Sequence, residues 1–242
     1  MRALGYFAAI LCAGLVGGCG GEAPSPAADR AADTPAPSGV ASATPIPGGR
    51  PYTAQDLRGA LLGEVPGLRR AYGPEAGLYG ALRATRLGNE AMAKAELNKP
   101  QCRKIGQIDP TSVHVRNSPA AVIVFGKEGF SLTEALIALA PEEAVKPFEV
   151  KAPRECSAYR ARVGKANFSY LTREMALEKL GDGFQGYLTR ATGEGYDLQI
   201  GTATVRHRNV IVSLLVVGKE VGEKTVRKYA EEAYHKVSRT LR

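Results

Sequence analysis

Few side chains in this chain could do chemistry, and their spacing narrows what that chemistry could be. The 242 residues contain four cysteines, of which Cys12 and Cys19 lie near the start and Cys102 and Cys156 far inside. The inner pair could form a disulfide, share a metal ion or supply a reactive thiolate. The last two uses lack supporting neighbours: His114, His207 and His235 stand far apart, and none is paired with Cys, His or a carboxylate at metal-ligand spacing. No metal or other cofactor is therefore expected. The stretch Gly218-Lys219-Glu220-Val221-Gly222-Glu223-Lys224-Thr225 superficially resembles a phosphate-binding loop, but Glu223 breaks the required Gly-Lys-Thr. There is no Gly-x-Ser-x-Gly elbow. Asp182, between Gly181 and Gly183, reads as a turn former rather than a general acid. Catalysis is not expected.

One constellation points to binding. Arg160 and Arg162 alternate with Tyr159, Ala161 and Val163, and Arg206 and Arg208 alternate with Val205 and His207, so each strand would offer two guanidinium groups on one face. If those strands were neighbours, Arg160, Arg162, Arg206 and Arg208 would form a site for carboxylate or phosphate. Otherwise they are a solvated outer face.

The elements that must carry these residues follow from local signals. Thr53 caps a helix whose first turn carries Asp56 and whose apolar positions include Leu57, Leu61 and Leu62, stopped by Pro66 and Gly67. Further helices are expected over Glu75 to Arg86 and from Asn89 towards Cys102. Ala120 to Gly126 is an apolar strand, and Ser131 with Glu134 spells a capping box opening a helix through Leu139. Pro141 begins another helical turn, followed by a strand over Tyr159 to Val163. Gln185 to Ala191, Tyr196 to Arg206 and Asn209 to Val217 predict an antiparallel meander, with a bulge at Gly201 where the inward phase changes. From about Glu223, Val226, Tyr229, Ala230, Ala233, Val237 and Leu241 make one helical stripe that should pack across the sheet. The fold class is α+β: an antiparallel β-sheet meander with N-terminal helices and a packed C-terminal helix.

The first fifty residues carry an address. Met1 and Arg2 precede an apolar and small-residue run from Ala3 to Val16, too short for a spanning helix of about 20 residues and typical of a signal peptide. Leu15-Val16-Gly17-Gly18-Cys19 resembles the lipobox of bacterial lipoproteins, which implies cleavage after residue 18, lipidation of Cys19 with the diacylglycerol and palmitate of that class, and attachment to the outer side of the cell membrane. Residues 19–50, rich in Ala, Pro, Ser and Gly, predict a disordered tether spanning on the order of 30 Å, and residues 51–242 one folded domain. In an exported domain the pair Cys102 and Cys156 reads first as a disulfide, closing a loop worth about 4 kcal/mol. The net charge is +8; the first fifty residues hold three charges of each sign, so all of it sits on the folded part. The expected partners are the membrane through the lipid anchor and, through charge, anionic lipid, an acidic wall polymer or an envelope protein; nucleic acid is excluded by location.

The order of elements, together with Cys102, Glu155-Cys156-Ser157-Ala158-Tyr159, Leu180-Gly181-Asp182-Gly183 before a strand, and Val205 to Val217 running into the last helix, resembles the PknH-like extracellular sensor domains of actinobacterial envelope proteins. Members usually carry a second disulfide and often a Trp beside the second cysteine; here one pair is available, Tyr159 takes the aromatic position, and the chain has no Trp. The resemblance implies a ligand-binding or sensing module with a cleft in an α+β sheet and no catalysis. A structural or assembly factor for another envelope protein is the second reading, and an envelope hydrolase the third.

Overall fold

The computed structural model describes residues 51–176 and 179–242. The leader, Cys19 and the tether lie outside the described residues. The domain begins as its sequence dictates: Thr53 Oγ1 accepts from the Asp56 amide at 3.2 Å, and Asp56 Oδ2 accepts from the Thr53 amide at 2.9 Å. This reciprocal box opens helix α1 (Ala54–Ala60), which buries Leu57 and Ala60.

The next segment departs from expectation. Residues Glu75 to Leu78 belong to strand β1 (Arg69–Leu78), because they pair with β3 from Glu75 opposite Val122 to Leu78 opposite Pro119; Pro74 just before them is tolerated on an edge strand, where a register shift accommodates it. A 3₁₀ turn, Tyr79–Ala81, leads to α2 (Arg83–Ala93). The helix expected from Asn89 is present only to Ala93, as the end of α2; beyond it come a short strand, β2 (Ala95–Leu97), and a 3₁₀ turn over Pro100–Lys104. After a single turn, α3 (Val113–Arg116), come β3 (Pro119–Lys127) and β4 (Phe130–Ala138).

β4 overturns the capping box read at Ser131 and Glu134. The segment is rich in helix formers, yet it pairs along its whole length with β3 on one side and with β9 (Val210–Gly218) on the other. Two ladders outweigh a propensity difference of a few tenths of a kcal/mol per residue. Glu134 is thereby placed in the core.

Helix α4 (Pro141–Glu149) and a 3₁₀ turn, Arg154–Ser157, precede β5 (Ala158–Val163), β6 (Ala166–Glu174), β7 (Gly183–Gly193) and β8 (Tyr196–His207). The sheet order is β1-β3-β4-β9-β8-β7-β6-β5-β2, antiparallel throughout. The expected meander is present and longer by β6. No bulge occurs at Gly201: the register of β8 runs unbroken against both neighbours. The phase changes there because both faces become covered. Ala203 and Val205 lie under α5 (Glu223–Thr240), Thr202 and Thr204 are buried on the opposite face, and a Cβ at Gly201 would collide with Val226 of α5.

The core has two parts. On one face α1 and α5 cover Leu132, Leu136, Val205 and Val212, with the predicted stripe Val226, Tyr229, Ala230, Ala233 and Val237 buried. On the other, Leu82, Ile108, Val122, Ile137 and Ile211 form a smaller cluster. A disulfide joins Cys102 to Cys156 with 5.4 Å between Cα atoms, tying the turn after β2 to the turn before β5.

Candidate functional site: the cleft beneath helix α2

The smaller face owes its shape to α2, which leads from β1 at one edge of the sheet to β2 at the other. So short a connection can join both edges only if the sheet is strongly curled. Val124 of β3 and Val163 of β5, separated by five strands, accordingly line one cavity. Helix α2 is a strap over the concave side.

The strap is fastened at its ends. Leu82, at its N-cap, has no side chain that can cap, and the carboxylate of Glu75 on β1 does that work, accepting from the Arg83 amide at 2.8 Å and the Ala84 amide at 3.4 Å. Tyr72 donates to the same carboxylate at 2.7 Å; burial, then this bond, push its phenol upward. At the other end Arg103 donates to the carbonyls of Met92 and Ala95, the second at 2.7 Å. Between these anchors α2 buries no residue at all. Its sheet side carries Ala84, Gly88 and Ala91, small residues at i, i+4 and i+7, and a Cβ added at Gly88 would meet nothing within 4 Å.

The gap so left is a cleft of about 360 Å³, within the range of small-molecule sites. Its floor is Val122, Val124, Thr133, Ser213, Leu215 and Thr202; its side wall is the loop carrying Gly106 and Ile108. That loop is braced by the Lys104–Asp109 pair at 2.5 Å. Burial opposes ionisation of Asp109, but hydrogen bonds from Lys104 and Thr111 outweigh it and hold the carboxyl below its ordinary range. At the inner end burial pushes the Tyr79 phenol up to about 12, only partly offset by Thr85, so it stays neutral. The charged residues lining the cleft are Glu90 and Lys94, both exposed on α2. Thr202 is buried, and its hydroxyl has no hydrogen-bond partner among the described residues, a state a ligand oxygen or a water would relieve. Apolar walls with a few hydroxyls can hold an uncharged, largely apolar group. They bring no nucleophile and base together.

The four-arginine site is not formed. Arg160 and Arg162 lie on β5, Arg206 ends β8 and Arg208 sits in the β8–β9 turn, with β6 and β7 between them. Arg160 is in register with Ser169, Thr192 and Asp197 in turn, and Asp197 lies about 30 Å along β8 from Arg206. Each pair has local work. Arg162 bonds Glu96 at 2.5 Å, and Arg206 donates to the Asp182 carbonyl at 3.0 Å. Asp182 is the turn former expected of it, its carboxylate accepting from the Arg208 amide at 2.5 Å and so holding Arg208 in its left-handed conformation at φ 56°. Among the described residues no three His, Cys, Asp or Glu side chains are grouped to hold a metal. A cleft in the sheet was implied by the family resemblance, but its place beneath α2 and its lining were not, although the small-residue spacing Ala84, Gly88, Ala91 was a readable trace of them.

No protein-family model matches the sequence, and no curated protein sequence matches it. Among solved structures, the extracellular domain of PknH from Mycobacterium tuberculosis superimposes with a TM-score of 0.56 at 12% identity, covering 78% of this chain and 98% of that one. An uncharacterized protein from Mycobacterium smegmatis gives 0.38 at 12% identity, over 59% of this chain and 76% of its own. The first likeness shows a shared α+β fold, as the sequence resemblance led one to expect.

Proposed function

We propose that this chain is a membrane-tethered, extracytoplasmic binding or sensing module, without catalysis of its own, that receives a small and largely apolar ligand in the cleft beneath α2. The observation that carries the reading is the vacant space itself. Protein interiors pack to the density of organic crystals, whereas here an amphipathic helix fastened at both ends spans an apolar sheet without burying one side chain. A ligand would supply the missing contacts. The Cys102–Cys156 disulfide suits an oxidising, exported environment, and the shared fold is that of an extracellular domain. No helix among the described residues is long and apolar enough to cross a membrane; the attachment proposed is the lipid on Cys19. The large apolar side chains left exposed, Leu78, Val113, Val150 and Leu171, are spread over separate elements, which favours the cleft over a broad protein-docking face.

The test is native mass spectrometry of protein purified from membranes, set against a Gly88→Phe variant whose ring would occupy the cleft. The reading expects a co-purified small molecule on the first protein and none on the variant; identical spectra would refute it.

A further inference from the structure

We infer that the cleft is shaped for one straight acyl chain, an inference that rests on the cleft being the ligand site. The lining residues of α2 run from Ala84 to Lys94, about 15 Å of helix at 1.5 Å per residue. Spread over that length, 360 Å³ makes an elongated space. A polymethylene chain, whose carbons approach their neighbours to about 4 Å, fills such a channel. At roughly 30 Å³ per water-sized group, the cleft holds about a dozen methylenes.

The polarity of the cleft gives the chain a direction. At the N-terminal end of α2, Ala84 and Tyr79 pack against the buried cluster that includes Leu82, Ile108 and Val122, so the lining there is uncharged, with the hydroxyls of Tyr72, Tyr79 and Thr85 set among apolar side chains. At the C-terminal end Met92 and Val163 are half-buried and Lys94 is exposed. Lys94 is a lining residue of the cleft with no side-chain ion pair among the described residues, and Glu90 stands one turn before it. The tail therefore lies towards Ile108 and the polar head sits beside Lys94. The same chain chemistry is offered by a free fatty acid and by an esterified lipid; the two differ in whether a carboxylate reaches Lys94.

The experiment is isothermal titration of the delipidated full chain with straight-chain fatty acids of 8 to 18 carbons, with their methyl esters, and with a rigid sterol. Affinity should rise about fourfold per methylene and level off near twelve carbons, and the sterol should not bind. Gly88→Leu, whose side chain enters open space and whose helix propensity exceeds that of glycine, should lower chain binding at least tenfold while raising the melting temperature. Lys94→Ala should weaken the acids several-fold and leave the esters unchanged if the carboxylate is the head; equal loss or no loss for both assigns the chain to esterified lipid. Affinity independent of chain length, or a sterol binding as tightly as dodecanoate, would overturn the acyl-chain inference while leaving the cleft as the ligand site. If no ligand of either shape binds and Gly88→Leu changes nothing, the cleft reading falls with it.

Discussion

Glu134 should make this protein less stable as the pH rises. The side chain is fully buried in the middle of β4. Its Oε2 accepts from the Leu62 amide at 2.8 Å, and its Oε1 has no partner among the described residues. Burial raises its pKa to about 8, with the Leu62 hydrogen bond and the charge of Lys236 offsetting only part of that. In the unfolded chain the carboxyl titrates near its ordinary value of 4.5. Between those two values the folded state keeps a proton that the unfolded state has released, so the stability is fully present below about pH 4.5, falls as pH rises, and is exhausted above about pH 8. The span corresponds to a loss on the order of 5 kcal/mol. Glu134→Gln keeps an oxygen for the Leu62 amide and cannot ionise. By urea unfolding followed by circular dichroism, the variant should match the wild type within about 1 kcal/mol at pH 4.5 and exceed it by several kcal/mol at pH 8. Asp109, Glu143 and Asp197, held below their ordinary ranges, add slopes of the opposite sign that cancel between the two proteins. Parallel stability profiles for wild type and variant would refute the reasoning.

Opening the Cys102–Cys156 bond by a double Cys→Ser replacement, which frees a loop with a sequence separation of 54, should cost about 4 kcal/mol and lower the melting temperature by calorimetry. Gly201→Ala, whose new methyl would strike Val226 and lie 3.2 Å from Val221, should destabilise by roughly 1–3 kcal/mol in the same assay. Because Arg160 and Arg206 lie on separated strands, Arg160→Ala and Arg206→Ala should have independent effects on retention by anionic vesicles, the double variant equalling the sum of the singles within about 0.5 kcal/mol; a larger coupling would mean that the two meet on one ligand. Cys19→Ala should move the protein from the detergent phase to the aqueous phase on partitioning, and persistence in the detergent phase would exclude lipidation at that residue.

What the sequence disclosed was local. The Thr53 cap, the meander from Gln185 onward and the stripe on α5 each depend on contacts within a turn or across a tight hairpin, and each is present. Ser131 and Glu134 repeat the spacing of Thr53 and Asp56 but form a strand, because β3 and β9 flank the segment and no local pattern announces a neighbour contributed by residues 210–218. Glu75 to Leu78 reads as helix, since Pro74 stands where a helix start tolerates proline, and the ladder that makes the segment a strand is supplied by residues 119–122 of β3. The arginine site failed for a related reason: alternation within a strand fixes which face a side chain takes, while strand order fixes whether two faces meet, and β6 was invisible as the strand that displaced β5 from β8. The cleft is the extreme case, since it depends on the curl of the whole sheet and on anchors at Glu75 and Arg103 that sit on either side of α2 in the sequence.

The most direct test of the cleft uses the methionines. Met92 lines the cleft, whereas Met175 is buried in the core on the opposite face, beside Gly186, and serves as an internal control. With both ε-methyl groups labelled with carbon-13, titration with dodecanoate should move the Met92 methyl resonance along a saturable curve and leave that of Met175 in place. A Met92 resonance that stays fixed through the titration, or one that moves only together with Met175, would contradict the account.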